Sequence, residues 1–449
     1  MLLASAWKRL LVAGAAVAAL WLAVLYVAPN TPFIAPEQAA IRPVAVATSD
    51  EVAEVGSLRV LARSGQEAPG GGNFDRFVVP SQDAAAPINA AGQAAFYATV
   101  LHAPGREGIF LAEPGRVAKI AAYGDAAPDG GTLSGFSNHP LPALNAAGHV
   151  AFVAQVGGGR STEGIFLAGD DGLRSVALAG EEAPGVPLGM LISFDQPALN
   201  DNDEIAFVAS VRAGADTLDV LYFWNGRRLQ KVIAERDLLL RVGGAMDAIG
   251  EPALNNSGVI AFPASILKGP VLGGIFIAGA RPLSLVVRAG DTTPGGAMIQ
   301  RLSERIAIDE SDDITFGAFV GGNGSLRGAV LRASAAGLAE IAVEGEPAPD
   351  GGHYAGFGPW PTAGPDGTVA FIAALDGAPG PLAVFAGPVG ELRRVAMVGE
   401  RLPQGGRVGG FPLNAIASIA GQGALTFLTV AAEQDERTAI YCRRPRPSR

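Results

Sequence analysis

Residues 145–152 read NAAGHVAF, and this stretch decides the fold because it recurs along the chain. Residues 89–96 read NAAGQAAF and 255–262 read NNSGVIAF, and a phenylalanine in the same setting stands at Phe96, Phe152, Phe207, Phe262, Phe316, Phe371 and Phe427. The gaps are 56, 55, 55, 54, 55 and 56 residues, which marks seven copies of one supersecondary unit. In the second copy PALN (142–145) enters a turn and VAFVAQV (150–156) alternates with Phe152, Ala154 and Val156 on one face. GIFLA (164–168) and SVALAG (175–180) follow, each bounded by Gly and Asp. Period-two alternation with glycine punctuation predicts four short strands per unit.

The Asn-x-x-Gly element has a mechanical reading. Asn is favoured at the first position of a type I turn because its side chain bonds to nearby backbone, and Gly is favoured at the fourth. Asn89 with Gly92, Asn145 with Gly148 and Asn255 with Gly258 fit, while Asp203 and Asp312 replace the glycine in two copies. The most repeated polar motif is therefore expected to be a hairpin device. The small residue before each phenylalanine (Ala95, Ala151, Ala206, Ala261, Thr315, Ala370, Thr426) predicts a crowded face opposite the ring.

The chain ends decide between a ring and a linear stack. One extra strand, LRVLARSG (58–65), precedes the first unit, and the last unit ends after three strands in TAIYCRR (438–444). Pairing the two completes the seventh unit and leaves no open edge. The expected fold is all-β, a seven-bladed β-propeller closed by an N-terminal strand and preceded by one transmembrane helix. The expected divisions are a basic start and signal anchor at 1–29, a Pro-rich tether at 30–55, the propeller at 56–443 and a basic tail at 444–449.

The repeats resemble the bacterial NxxGxxAF tandem-repeat family. The motif is intact at 89–96, 145–152 and 255–262, lacks only its glycine at 200–207, and is degraded at 309–316, 364–371 and 420–427. The resemblance implies an exported, propeller-like repeat domain with a variable anchor, and it implies no reaction.

Composition agrees. Of 449 residues, 49% are hydrophobic and 17% charged, which favours buried cores over disorder, and 61 glycines with 32 prolines indicate many turns. A net charge of −10 argues against nucleic acid as a partner, since phosphate binding needs a basic surface. The one cysteine, Cys442, excludes an internal disulfide framework. Residues 10–28 form an uncharged run behind Lys8 and Arg9. As a helix the run spans ~28 Å, about the thickness of a bilayer core. The basic pair then stays inside, which predicts a single-pass protein of the bacterial inner membrane with its propeller in the periplasm or outside the cell.

Candidate chemistry is sparse. Five of the seven blade-joining loops share a GxxAPxGG pattern, and the residue after the first Gly is acidic at Asp125, Glu181, Asp291, Glu346 and Glu400, with Gln66 and Arg236 as the exceptions. Such a carboxylate rim would attract cationic ligands. His353, Tyr354 and Trp360, in GGHYAGFGPW, are candidates to line a ligand pocket, and His139 sits in a similar segment. The turns NDNDE (200–204) and DESDD (309–313) offer oxygen ligands for calcium but lack the twelve-residue loop with its closing Glu, so no cofactor is expected. No nucleophile elbow, P-loop or dinucleotide fingerprint occurs. Blade 4 departs most from the pattern, its joining segment 235–252 losing the first Gly and gaining apolar residues. The expected function is a binding or scaffolding module of the cell envelope, with an envelope protein or glycan as partner. The alternatives are an envelope hydrolase acting at the acidic rim and a purely structural repeat protein.

Overall fold

Alternation around each phenylalanine sends that ring to one face of its sheet and the preceding small residue to the other. In the computed structural model, which describes residues 58–443 apart from 81, 323, 403–405, 413 and 432–437, seven antiparallel sheets each carry one of these phenylalanines on the second strand. We number the blades by them, from Phe96 in blade 1 to Phe427 in blade 7. Each of these rings lies opposite a residue of the third strand. Phe152 pairs with Phe166, Phe207 with Tyr222, Phe262 with Phe276 and Phe427 with Tyr441, and in blade 5 Phe316 pairs with Leu331. Phe152 and Phe166 stack at 5.9 Å and Phe262 and Phe276 at 5.7 Å. Full burial of each such ring contributes ~1.5–3 kcal/mol.

The cores lie between neighbouring blades. Ala95 of blade 1 packs in one cluster with Phe152 of blade 2, Ala151 with Phe207, Ala206 with Phe262 and Ala261 with Phe316. The small residue before each phenylalanine makes room for the ring of the next blade, which accounts for the crowded face.

The seventh sheet closes the ring. Leu58–Arg63 pairs antiparallel with Thr438–Arg443, from Leu58 opposite Arg443 to Arg63 opposite Ala439. Cys442 is buried in this closing strand. Among the described residues the helical structure is one 3-10 turn, Gly421–Gly423, and no helix is long and apolar enough to cross a membrane. The expected anchor at 10–28, the tether at 30–55 and the tail at 444–449 lie outside the described residues.

The innermost strand differs from expectation. It is longer than PALN and broken in two: in blade 2, Thr132–Gly135 and Ala143–Leu144 both pair with Val150–Gly157, with a bend between them. In blade 5 it runs unbroken over Met298–Ile308. This interruption, or in blade 5 the register shift between Leu302 and Ile306, falls at the part of the inner strand that lines the site described next.

The Asn-x-x-Gly turn also does more than expected. Asn145 Oδ1 accepts the backbone N–H of His149 at 2.9 Å, as a local turn device should. Its Nδ2 donates to the main-chain carbonyl of Asn200 in the next blade at 3.2 Å. Asn89 reaches Asn145 in the same way, Asn200 reaches Asn255, and Asn255 reaches Asp309. Asp203 and Asp312 adopt the left-handed backbone of the missing glycines, at φ 60° and 65°.

Candidate functional site

Eleven residues ahead of each repeat phenylalanine stands one residue of the bent inner strand: Ala85, Leu141, Gln196, Glu251, Arg305, Trp360 and Ile416. All seven line one cavity of about 170 Å³. A cavity lined from every blade lies on the axis, so this position forms a ring around the central channel. The ring is divided by chemistry. Blades 7, 1 and 2 supply Ile416, Ala85 and Leu141, and blades 3 to 6 supply Gln196, Glu251, Arg305 and Trp360.

Arg305 joins the polar arc. Its Nη1 donates to Gln196 Oε1 at 2.8 Å, its Nη2 is ion-paired with Glu251, and its guanidinium lies 4.4 Å from the centre of the Trp360 ring. The planar fork of Arg suits this combined pairing and stacking. A larger cavity of about 750 Å³ shares Glu251, Arg305 and Trp360. It adds Asp83, Asp195, Glu304 and Asn414 and extends between blades 4 and 5 as far as Gln300 and Leu272.

Burial dominates the electrostatics. It pushes Glu251 up to about 7 even though Arg305 opposes the shift, and Asp195 and Asp83 raise it further. Asp195 is pushed up to about 6 by burial and by the Asp219 carboxylate. Burial also raises Asp83 and Glu304, with nearby arginines opposing. His139 is shifted down by burial and by Arg305, which favours its neutral form. The arc thus presents carboxyl groups that hold protons near neutral pH, a fixed guanidinium, an amide and an aromatic surface. These groups can exchange hydrogen bonds with a hydroxyl-bearing ligand, and the protonated carboxyls can act as acids.

Apart from Trp360, and His139 whose ring feels the Arg305 charge, the residues singled out from sequence fall elsewhere. The rim carboxylates cap turns of their own blades. Asp125 accepts the N–H of Ala122 at 2.8 Å, Glu181 that of Leu178 at 2.9 Å, Asp291 that of Arg288 at 2.9 Å and Glu400 that of Met397 at 2.9 Å. Asp125, Asp291 and Glu400 also pair with Lys119, Arg288 and Arg394. Glu346 holds the matching place in blade 6, and its charge helps raise the buried Tyr354 phenol. Arg236 is no exception to the acidic pattern. With φ 68° it occupies the glycine slot, and Asp237 beside it accepts the N–H of Ala234.

Tyr354 is a core residue, packed edge-on against Phe385 at 5.4 Å, and His353 is exposed at the start of its strand. The oxygens of the two acidic turns are already engaged: Asp201 accepts from Asn256 of the next blade, and Asp309 pairs with Arg332 of its own blade. Among the described residues no group of three or more His, Cys, Asp and Glu is arranged to hold a metal ion. Sequence reasoning missed Gln196, Glu251 and Arg305. The signal for them is a position at constant offset from the repeat phenylalanine whose chemistry changes from blade to blade.

Fold and channel together define a seven-bladed all-β propeller with a half-polar axial ring. The chain belongs to a family of unknown function, DUF7453, whose profile matches residues 45–271 and again 214–443. The double match reflects the internal repeat. No curated protein matches the chain in sequence. Among solved structures it is similar to the polysaccharide lyase Uly1, at 12% identity and TM-score 0.44 over 86% of this chain and 97% of that one. It is also similar to prolyl oligopeptidase B from Galerina marginata, at 10% identity and TM-score 0.39 over 84% of this chain and 52% of that one. A third is the fucose-specific lectin from Aleuria aurantia, at 11% identity and TM-score 0.32 over 69% and 92%. Likenesses this distant carry no argument about activity.

Proposed function

We propose that this propeller is an extracytoplasmic binding module of the cell envelope, anchored in the inner membrane by residues 10–28, with its ligand site on the polar arc of the channel. The observation that carries the reading is the network in which Arg305 holds Gln196, Glu251 and Trp360, one residue from each of blades 3 to 6, against a cavity of about 750 Å³. A concave site with a few convergent polar groups and shifted carboxyls is the usual form of a small-ligand pocket. The aromatic ring, the amide and the protonated carboxyls suit a hydroxyl-rich ligand, and an envelope glycan is the proposed class. Kinship with the exported NxxGxxAF repeat proteins belongs to the same reading.

Calorimetric titration with soluble glycan fragments of the envelope tests it. Trp360→Ala is expected to weaken binding at least tenfold, while Asp125→Asn on the rim leaves it unchanged. Equal affinity for wild type and Trp360→Ala rejects the channel as the site. Reporter fusions after residue 30 test the anchor, with activity expected only from a reporter that works outside the cytoplasm. The shifted Glu251 and Asp195 support a second reading, a glycan hydrolase acting in the channel. Under that reading Glu251→Gln abolishes turnover and preserves binding.

A further inference from the structure

Blade 4 breaks the repeat on the face that carries the blade-joining loops, and the neighbouring blades join it there in exposing large apolar side chains. Leu238 and Leu240 in the loop entering blade 4 are 72% and 92% exposed, Leu272 in the hairpin of the same blade 80%, and Leu188 in the loop entering blade 3 92%. Leu267, Met298 and Leu326 extend the exposed set along blades 4 and 5. Apolar tips in such number on one face of a ring mark an interaction surface.

The tips form a continuous surface. A Cβ at Gly243 would lie 3.1 Å from Pro270, so the loop bearing Leu238 and Leu240 lies against the hairpin bearing Lys268 and Leu272. A Cβ at Gly185 would lie 2.9 Å from Lys231, whose Nζ pairs with Asp237 at 3.0 Å, which joins the Leu188 loop to the Leu238 loop.

Backbone geometry shows that the side chains are retained at some conformational cost. Leu188 and Lys268 both have φ 57°. The position of Leu188 is glycine in the loops entering blades 1, 2 and 6, at Gly71, Gly130 and Gly351, and that of Lys268 is glycine in blades 2 and 6, at Gly158 and Gly377. A bulky residue in the left-handed region is uncommon.

Charge selects the partner. Exposed Arg212, Arg241, Lys268 and Arg327 stand among the leucines, although the chain carries −10 overall. Of the acidic groups nearby, Asp216 pairs with Arg236, Asp237 pairs with Lys231 and Asp247 accepts from Ser265, while Glu181 and Glu182 lie in the Leu188 loop at the blade 3 edge of the surface. Leucines ringed by Lys and Arg match the acyl boundary and the negative headgroups of an anionic bilayer. We propose that this face of blades 3 to 5 docks on an anionic lipid surface, by contacts that meet the channel cavity only at Leu272 and are independent of any anchor.

The ring closes within residues 58–443, so a chain starting at residue 45 keeps every element of the fold, and the test uses that chain. It is expected to sediment with vesicles of phosphatidylglycerol in phosphatidylcholine and not with phosphatidylcholine alone. Leu188→Ser/Leu238→Ser/Leu240→Ser is expected to reduce binding about tenfold or more. Arg241→Glu/Lys268→Glu is expected to reduce it and flatten its salt dependence, with melting temperatures confirming that both variants fold. Leu101→Ser on blade 1 is expected to bind as wild type. Failure of the wild-type chain to bind the anionic vesicles overturns the proposal and assigns the surface to a protein partner. Undiminished binding by the triple serine variant overturns it as well.

Discussion

Asn145 Nδ2 donates to the carbonyl oxygen of Asn200, the residue at the same place in the next blade, at 3.2 Å, and to Asp203 Oδ1 at 2.9 Å. The turn motif is therefore also the clamp between blades. Five such positions follow one another from Asn89 to Asp309. At Asp309 the donor is lost, because a carboxylate has no N–H to give. Arg332 takes its place, with Nη2 on Asp309 and Nη1 donating to Gly367 in blade 6 at 2.8 Å. A repeat read as a local hairpin is thus a run of buried hydrogen bonds around the axis.

Substitution at Asn145 separates the two roles. Asn145→Ala leaves the His149 N–H without its acceptor and takes from the Asn200 carbonyl one of its two donors, the other being the Asp203 N–H, which is expected to cost ~1–3 kcal/mol. Asn145→Asp keeps the Oδ1 acceptor and places a charge against the Asn200 carbonyl and the Asp203 carboxylate. Urea denaturation at neutral pH is expected to rank wild type above Ala and Ala above Asp. If Asp matches wild type, the bond between blades contributes nothing.

The channel pair predicts a strong non-additivity. Arg305→Met leaves Glu251, half-buried in the cavity wall, without its cation, which is expected to cost ~1–3 kcal/mol. Arg305→Met/Glu251→Met removes both charges and is expected to recover most of that loss. A double-mutant cycle by chemical denaturation reads the coupling. Additive losses would show that Arg305 and Glu251 do not form the pair described.

The ring of blades was legible in the sequence because a phenylalanine every 55 or so residues reports a packing need that each blade repeats. Closure was legible because LRVLAR is one strand too many before the first unit and TAIYCR ends the last unit one strand short. The hydrogen bond between successive asparagines was not, since the pattern that marks a local turn is silent about a carbonyl 55 residues away. The split inner strand was hidden because its first half, such as TLSG in blade 2, is short and rich in small residues. Arg236 misled because a non-glycine in the left-handed slot shifts the apparent register by one, concealing Asp237. The channel arc escaped because a repeat search rewards sameness, and Gln196, Glu251, Arg305 and Trp360 share a position and no chemistry.

Glu251 predicts a pH dependence of definite sign. Its folded pKa, about 7, lies above the ordinary carboxyl value of 4.5, so between these values the folded protein holds a proton that the unfolded chain releases. Stability then falls as pH rises through that window and levels off above it. Asp195, raised to about 6, acts in the same sense. Denaturation midpoints measured from pH 5 to 8 are expected to decline for wild type and to decline less for Glu251→Gln. The two carboxyls together set the slope, so Glu251→Gln/Asp195→Asn is expected to be flatter still. A wild-type midpoint that rises over this range contradicts the assignment.

Tyr354 distinguishes core from pocket. It is 4% exposed and its ring packs with Phe357, Phe371 and Phe385, and its hydroxyl is buried with no hydrogen-bond partner among the described residues. A buried hydroxyl without a partner is a desolvation cost that packing has to offset. Tyr354→Phe keeps the ring and removes that cost, so it is expected to raise stability by up to ~1 kcal/mol. A residue that hydrogen-bonded a ligand would behave in the opposite way, with stability little changed and affinity lost. Tyr354→Phe is therefore expected to melt at or above the wild-type temperature and to bind any channel ligand with unchanged affinity, whereas Trp360→Ala loses that ligand. Loss of ligand affinity in Tyr354→Phe would place the recognition site in the core around the inner strand of blade 6 and not on the axis.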